Sequence, residues 1–493
     1  MMTLCLFCER RFMLNLDILN LLDRPPTNML HPATSLDDVY RTLSPEPLLT
    51  PEQVRAFYSD RLNTVRGDDK GARLALALNR AFGGSYYKAF LMGHPGVGKS
   101  TELTRLIQRV SDKYRAIRFS ATSALDPASF KPFDVLLLMM AEIAEKTAEP
   151  KRQGGAGQKP SEARLKEIWE WFATEKKTLT ETTHLGTEAT AGAGISGDSW
   201  WAKTLGLFAS LKGEIKYAAD RKKEIVEYRL SRLSTLIELA NRLLDECNQL
   251  LRKAVSKEWL FIGEDFDKPG IPIAQVEGLF LTYANIFKEL RTHLIFTIPI
   301  AFGYSQQAVQ LPFAGDRLFS IPDTPVFRSD HTAHAEGREA LRSVLEARVA
   351  PELFADGQMM RLIVASGGNL RDLFSLVTQA ADNALLRQPP GKKIDRSDAD
   401  SAIDNLRTEY TRRLGDSPYD KDQIPYESKA ERLVAIYNSD PNAAIPDTVL
   451  YSLLRSRAVQ EFNGKGWFGV HPLVADILKS QDRIPRTAAG GTE

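Results

Sequence analysis

Cysteine is scarce: three occur in 493 residues, which argues against a disulfide scaffold and fits a reducing compartment. Cys5 and Cys8 form a lone CxxC, with no second pair or histidine cluster to complete a zinc site. Met13 offers an alternative start beyond them. Cys247 falls in a helical pattern and is expected as a small core residue. A dominant charge sign is also missing. Lys and Arg number 64 against 63 Asp and Glu, so no global field recruits nucleic acid or an anionic membrane, and any such partner must meet a local patch. No apolar run approaches the ~18 residues of a spanning helix; the strongest are 133–141 and 294–302. The first residues lack the basic start and long apolar region of a secretory signal. These absences predict a cytoplasmic protein.

What is present reads as roughly three globular domains by length. Residues 1–50 form an irregular segment, punctuated by Pro25, Pro26, Pro32, Pro45 and Pro47. A core at 51–330 alternates strand and helix signals: "YKAFLMG", "KSTELTRLIQRVSDKY", "RAIRFSAT", "DVLLLMMAEIAEK". That alternation builds a parallel sheet flanked by helices on both faces. The sheet pattern breaks off for a large helical insertion at about 150–255, then returns with "EWLFIGEDFDK" and "THLIFTIPIAF". Residues 331–415 are helical and read as a lid. Residues 416–485 carry two helical stretches, an aromatic hairpin signal and a final helix, the pattern of a winged helix; 486–493 is a tail. The fold class expected is α/β, a P-loop NTPase sheet with a helical lid, a helical insertion and a winged-helix-like end.

The segment "GHPGVGKST" matches GxxxxGK[ST] in full at Gly93, Gly98, Lys99 and Ser100. Its glycines let the backbone N–H groups of Gly93, His94, Pro95-Gly96, Val97, Gly98, Lys99, Ser100 and Thr101 (proline excepted) turn around a phosphate. The helix that opens there adds its positive dipole end. Lys99 is expected on the β- and γ-phosphates, and Ser100 on Mg²⁺. In "WLFIGEDFD" a buried strand delivers carboxylates to the sheet's C-terminal edge, where ligands gather in such folds. One register puts Glu264 at the metal and Asp265 at the attacking water. The other makes Asp265 the magnesium carboxylate and leaves Glu264 or Asp267 to handle water. Thr297 ends a central-strand candidate, placed to touch the γ-phosphate or the water. Arg371 follows Gly367-Gly368 at a helix start, a planar fork suited to phosphate oxygens.

These four motifs resemble the AAA+ ATPases, and more narrowly the branch shared by origin-recognition-type and STAND signalling ATPases. "GHPGVGKSTEL" resembles its Walker A, "LFIGEDFDK" its "hhhhDDLDK" Walker B, "FTIPIAF" its sensor 1 strand and "SGGNLRDL" its sensor 2 helix. Glu264 stands where that pattern has Asp. The ending "FNGKGWFGVHPLV" is similar to the wing and helix of bacterial P-loop ATPases, many from phage-defence loci. The resemblance covers about 50–411 outside the insertion. It implies a five-stranded core, ATP with Mg²⁺ as cofactors, ATP hydrolysis, and nucleotide-controlled homo-oligomerisation. It also implies an arginine finger, for which Arg317 and Arg328 are the candidates, and Arg66, ahead of the core, is assigned beside the adenine.

In the insertion, Trp201, Leu205 and Phe208 fall on one side of a helix, beside Lys203, Lys212, Lys216, Arg221, Lys222 and Lys223. The expected role is a surface for a protein effector or oligomer contact, ahead of an ordinary core or a membrane-surface helix. The tail offers DNA only Arg455, Arg457 and Lys465, a thin footprint for a duplex binder. The function expected is therefore an ATP-driven regulatory switch. A DNA-binding initiator or loader, and a nucleotide-binding scaffold without turnover, are the alternatives.

Overall fold

The computed structural model describes residues 30–180, 199–216, 221–313, 317–416, 423–463 and 467–486, with the backbone alone at 174–180 and 199. Cys5, Cys8, the Gly-rich stretch before Ser199 and Lys465 lie outside them. The chain divides into two compact units. One takes the chain as far as Val65 together with Pro325–Thr408; the other takes Arg66–Thr324 together with Glu409–Glu493.

The larger unit is built on five parallel strands: β1 (Lys88–Met92), β2 (Tyr114–Ser120), β3 (Glu258–Glu264), β4 (His293–Ile298) and β5 (Leu318–Ser320). Their order is β2-β3-β4-β1-β5. All residues of β1, β3 and β4 are buried, because helices cover both faces, and such strands read as unbroken apolar runs. One face presents Leu91, Leu260, Ile262 and Ile295 to helices α1 (Lys70–Ala81) and α2 (Lys99–Arg109). The other presents Phe90, Phe119, Phe261 and Phe296 to helix α3 (Pro132–Ala148) and the insertion.

The insertion leaves the sheet after α3 and returns at β3. It comprises α4 (Glu162–Thr180), α5 (Ser199–Lys216), α6 (Lys223–Ser231) and α7 (Leu233–Val255). Its apolar side is absorbed by the sheet's own core: Phe208, Leu211 and Ile215 are buried with Leu137, Phe133 and Leu243. Much of its basic character is spent the same way. Lys212 pairs with Glu142 and Glu145 at 2.9 and 3.0 Å, and Arg221 pairs with the fully buried Asp134 at 2.8 Å. Of the Trp201, Leu205 and Phe208 stripe, Phe208 is buried and the other two are half-buried, while Lys203 and Leu207 are exposed. Cys247 is a core residue on α7, its thiol pushed up to about 12 by burial.

The C-terminal part of this unit runs α8 (Tyr426–Tyr437), α9 (Thr448–Ser456), the antiparallel pair β6 (Val459–Glu461) and β7 (Phe468–Val470), and α10 (Pro472–Ser480). Helix, helix, hairpin and helix make a winged-helix-like fold. Its hairpin turns inward: β6 is wholly buried, Asp323 N donates to Glu461 O at 2.8 Å, and the Phe468 and Tyr304 rings meet edge-on at 5.1 Å.

In the smaller unit, a helix at Pro51–Phe57 starts at Thr50, whose hydroxyl accepts from Gln53 N in a capping box. The next helix, Arg61–Val65, packs on Ala335–Glu346, where the Ser59 and Ser343 hydroxyls lie 2.7 Å apart. Arg348 is held between the Phe57 and Phe374 rings. Helices Gln358–Ala365 and Leu370–Leu386 follow, and the helix Arg396–Leu414 begins there. Among the described residues no helix is long and apolar enough to cross a membrane.

Gly263 sets the spacing under the sheet's acidic edge. A Cβ there would fall 2.5 Å from Phe296 Cδ1 and 3.0 Å from Phe119 Cζ. Gly263→Ala is therefore expected to lower unfolding free energy by about 1–3 kcal/mol; urea denaturation checks this, and an unchanged midpoint would refute the packing.

Candidate functional site

β1 ends in Met92, and the chain at once turns through left-handed backbone at Gly93, Gly96 and Gly98, with φ of 148°, 93° and 101°. At Gly93 the need for glycine is also steric, since a Cβ would lie 2.4 Å from Ile321 O. Val97 is fully buried and pins the loop to the apolar face below. Gly98 stands at the N-cap of α2, so Lys99, Ser100 and Thr101 occupy the helix's first turn, the end whose dipole favours an anion.

The Lys99 ammonium is almost buried, and its three donors are all engaged. It donates to Gly93 O at 2.8 Å and His94 O at 2.9 Å, and it pairs with Asp267 Oδ2 at 2.8 Å. Thr297 Oγ1 donates to the other oxygen of Asp267 at 2.9 Å. Thr297 lies directly beside Leu91 of β1 in the sheet register, so the sensor-strand candidate and the phosphate-loop lysine share one carboxylate.

The acidic turn after β3 is pegged by Phe266. Its ring is fully buried and packs against Phe119, Phe130, Phe280 and Phe296 at 5.5–6.5 Å. Asp265, with φ of 69°, sits in the left-handed region that Asp tolerates better than most residues. With Phe266 as anchor, the flanking carboxylates part. Asp267 goes to Lys99 and Thr297. Asp265 goes toward the end of β2, accepting from Ser120 Oγ at 2.6 Å and Thr122 Oγ1 at 3.4 Å. Glu264, the last residue of β3, is gripped by Arg118: Nε donates to Glu264 Oε1 at 2.6 Å and Nη2 meets the same oxygen at 2.5 Å.

A magnesium ion fits this donor set. Mg²⁺ takes hard oxygen ligands and usually completes its shell with one or two carboxylates, waters and the phosphates of a substrate. Among the described residues no group of three or more His, Cys, Asp or Glu forms a self-sufficient metal site. The first turn of α2, with Ser100, and the end of β3, with Glu264, instead meet across the Arg118 guanidinium, which also touches Ser100 O at 3.4 Å.

His94 lies on the loop's far side, wholly buried, with Nδ1 2.6 Å from Asp323 Oδ2. The carbonyl of Glu461 in β6 holds the Asp323 backbone N–H, and the Glu461 carboxylate accepts from Ser320 Oγ at 3.1 Å. The phosphate loop and the C-terminal hairpin are thus joined through two buried side chains.

Arg66 is buried at 4% exposure, with Nε on Thr324 Oγ1 at 3.0 Å. Arg371 stands in the first turn of its helix in the smaller unit, behind Asn369, whose side chain accepts from Arg371 N and Asp372 N. Arg317 lies over the Tyr87 ring at 4.9 Å. Arg328, in the smaller unit, is half exposed and pairs with Glu336 at 3.2 Å. Of the tail cations, Arg455 is exposed, while Arg457 is buried with its guanidinium 6.0 Å from the Tyr410 ring centre.

Sequence reasoning missed Arg118 and Asp323. Arg118 left a signal: it alternates with Tyr114 and Ala116, so it had to face α2 as a charge needing a partner. Asp323 left none, because only the fold brings residues 94 and 323 together.

No family model matches the chain, and no curated protein matches it. Among solved structures, it is similar to a Walker-type ATPase of Pyrococcus abyssi, at 13% identity, covering 89% of this chain and 99% of that one, with a TM-score of 0.38. It is also similar to Cdc6p from Pyrobaculum aerophilum, at 12% identity, covering 90% of this chain and 98% of that one, with a TM-score of 0.34. Both likenesses are too loose to transfer residue roles. The fold class rests on the chain's own features: a five-stranded parallel sheet flanked by helices and a phosphate loop that leaves β1 and opens α2.

Removing the His94 imidazole withdraws a partner from a fully buried carboxylate. His94→Ala is expected to cost about 3 kcal/mol of stability, and Asp323→Asn less, since an amide restores a neutral contact. Chemical denaturation of the two variants measures this; equal, negligible losses would deny the pair its structural role.

Proposed function

We propose that the protein is an ATP-binding and ATP-hydrolysing switch of AAA+/STAND type, working as a homo-oligomer in the cytoplasm and acting on a protein effector. The observation that carries this reading is the meeting of a complete phosphate loop with Asp267 and Thr297 at Lys99.

The ammonium of Lys99 is neutralised by Asp267. Phosphate oxygens, delivered to the loop's N–H groups, compete for the same donors with more negative charge. Lys99 then turns to the β- and γ-phosphates and Asp267 is released, still held by Thr297. Ser100 and Glu264 would hold Mg²⁺, which supplies charge stabilisation for phosphoryl transfer. Asp265, kept in place by hydroxyl groups and a strained backbone, is the residue assigned to orient the attacking water; such strain persists where the surroundings enforce it. Arg371 is assigned to the phosphates from the lid, with Arg317 or Arg328 as the finger for a neighbouring copy and Arg66 beside the base.

Movement of the loop has a route outward. His94 is bonded to Asp323, and Asp323 to Glu461 of β6, so a shift of the loop would be passed to the hairpin through them. That use of the hairpin favours a docking role for the winged-helix-like part over DNA reading. β6 is buried and bonded to the core at Asp323, and Arg457 is buried.

Lys99→Ala should abolish nucleotide binding. Asp265→Asn should bind ATP as the unaltered protein does while turnover falls by at least 100-fold. Steady-state phosphate release beside fluorescent-nucleotide binding separates the two. Normal turnover by the Asn variant would remove Asp265 from the chemistry. Strong stimulation by DNA with a steep salt dependence would favour the initiator reading instead, and tight binding without turnover would favour the scaffold.

A further inference from the structure

An arginine on a strand face that packs against a helix is expensive unless each of its donors is met. Arg118 lies on such a face, in register with Ile262 of β3, and its guanidinium reaches three places. Nε and Nη2 both go to Glu264 Oε1. Nη1 donates to Thr104 Oγ1 at 2.8 Å, and Nη2 donates to Ser100 O at 3.4 Å. Ser100 and Thr104 are one turn apart on α2, and the Thr104 hydroxyl itself donates to Ser100 O at 3.1 Å. One planar fork therefore ties the end of β3 to the first turn of the phosphate-loop helix.

The identity of residue 264 gives that tie a purpose. Glutamate carries one more methylene and one more rotatable bond than the aspartate of the resembled motif. Loose, it would pay the rotamer entropy of a long polar side chain each time it engaged a metal. Both Arg118 donors fall on Oε1, so among the described residues Oε2 is the oxygen left to face a ligand. Arginine suits the task where lysine would not, since its donors are fixed in a plane and serve a carboxylate, a hydroxyl and a carbonyl together.

We propose that Arg118 is a positioning residue for magnesium: it fixes Glu264 against the first turn of α2 and so makes glutamate usable at that position. This inference rests on the ATP–Mg²⁺ reading of the site. Outer-shell partners of this kind commonly govern metal affinity by 10–100-fold.

The experiment measures the Mg²⁺ concentration needed for half-maximal strengthening of fluorescent-ATP binding, on the full chain, beside binding in EDTA. Arg118→Gln should raise that concentration roughly tenfold or more and leave binding in EDTA unchanged. Arg118→Lys, which keeps the charge but not the fork, should move it in the same direction by less and provides the test should the Gln variant fail to fold. In a Glu264→Asp background, where the shorter side chain has less to restrain, Arg118→Gln should shift it by less than about threefold. An unshifted Mg²⁺ dependence would overturn the proposal. So would equal losses with and without Mg²⁺, which mark damage to the loop, or the same shift in the Asp background. Failure of the unaltered protein to bind ATP at all would instead refute the nucleotide reading, and this inference with it.

Discussion

The site turns on one ammonium group. Lys99 has three N–H donors, and the fold uses two on carbonyls of its own loop and one on Asp267. A nearly buried cation is stable only when paired and hydrogen-bonded, so the loop's shape, the lysine's extension and the position of the acidic turn are interdependent. The surrounding architecture serves that arrangement. β1 places the loop, the Phe266 peg fixes the turn, β4 brings Thr297 beside it, and Gly263 keeps the aromatic layer close enough for the peg to seat.

Two carboxylate–cation pairs divide the sheet's edge. Asp267 with Lys99 stands over β1 and β4, while Glu264 with Arg118 stands over β3 and β2. Between them Asp265 leans on hydroxyl groups rather than a strand cation, with Lys268 of its own turn 3.4 Å away. Each pair neutralises charge that would otherwise repel an incoming anion or destabilise the buried edge. Each also leaves a partner that a nucleotide with its metal can claim. The switch proposed above would rest on these two pairs, contacts that hold one arrangement and that phosphate and metal would replace.

Much of the site was legible in the sequence because it is local. The glycine spacing, Lys99 and Ser100 form one continuous loop, and the apolar runs named the buried strands. The acidic turn was only half legible. The string "EDFD" puts three acids within reach of the edge, but their division depends on Phe266 being buried and on the left-handed backbone of Asp265, which no spacing reveals. The place of Arg66 ahead of the core suggests the adenine; its burial and its bond to Thr324 depend on the fold and leave no trace in the spacing. The stripe of Trp201, Leu205 and Phe208 suggests a partner surface; the fold buries Phe208 against the sheet's second face and leaves Trp201 and Leu205 half-buried, because amphipathic spacing does not say how much of a face the chain itself covers.

The central claim is that this loop and this acidic edge together form one ATP site per chain. Titration calorimetry of the full chain with ATP in excess Mg²⁺ tests it most directly. The account predicts a saturable heat with a stoichiometry of about one, weakened when Mg²⁺ is chelated. Folded protein that gives no heat at millimolar ATP would contradict it.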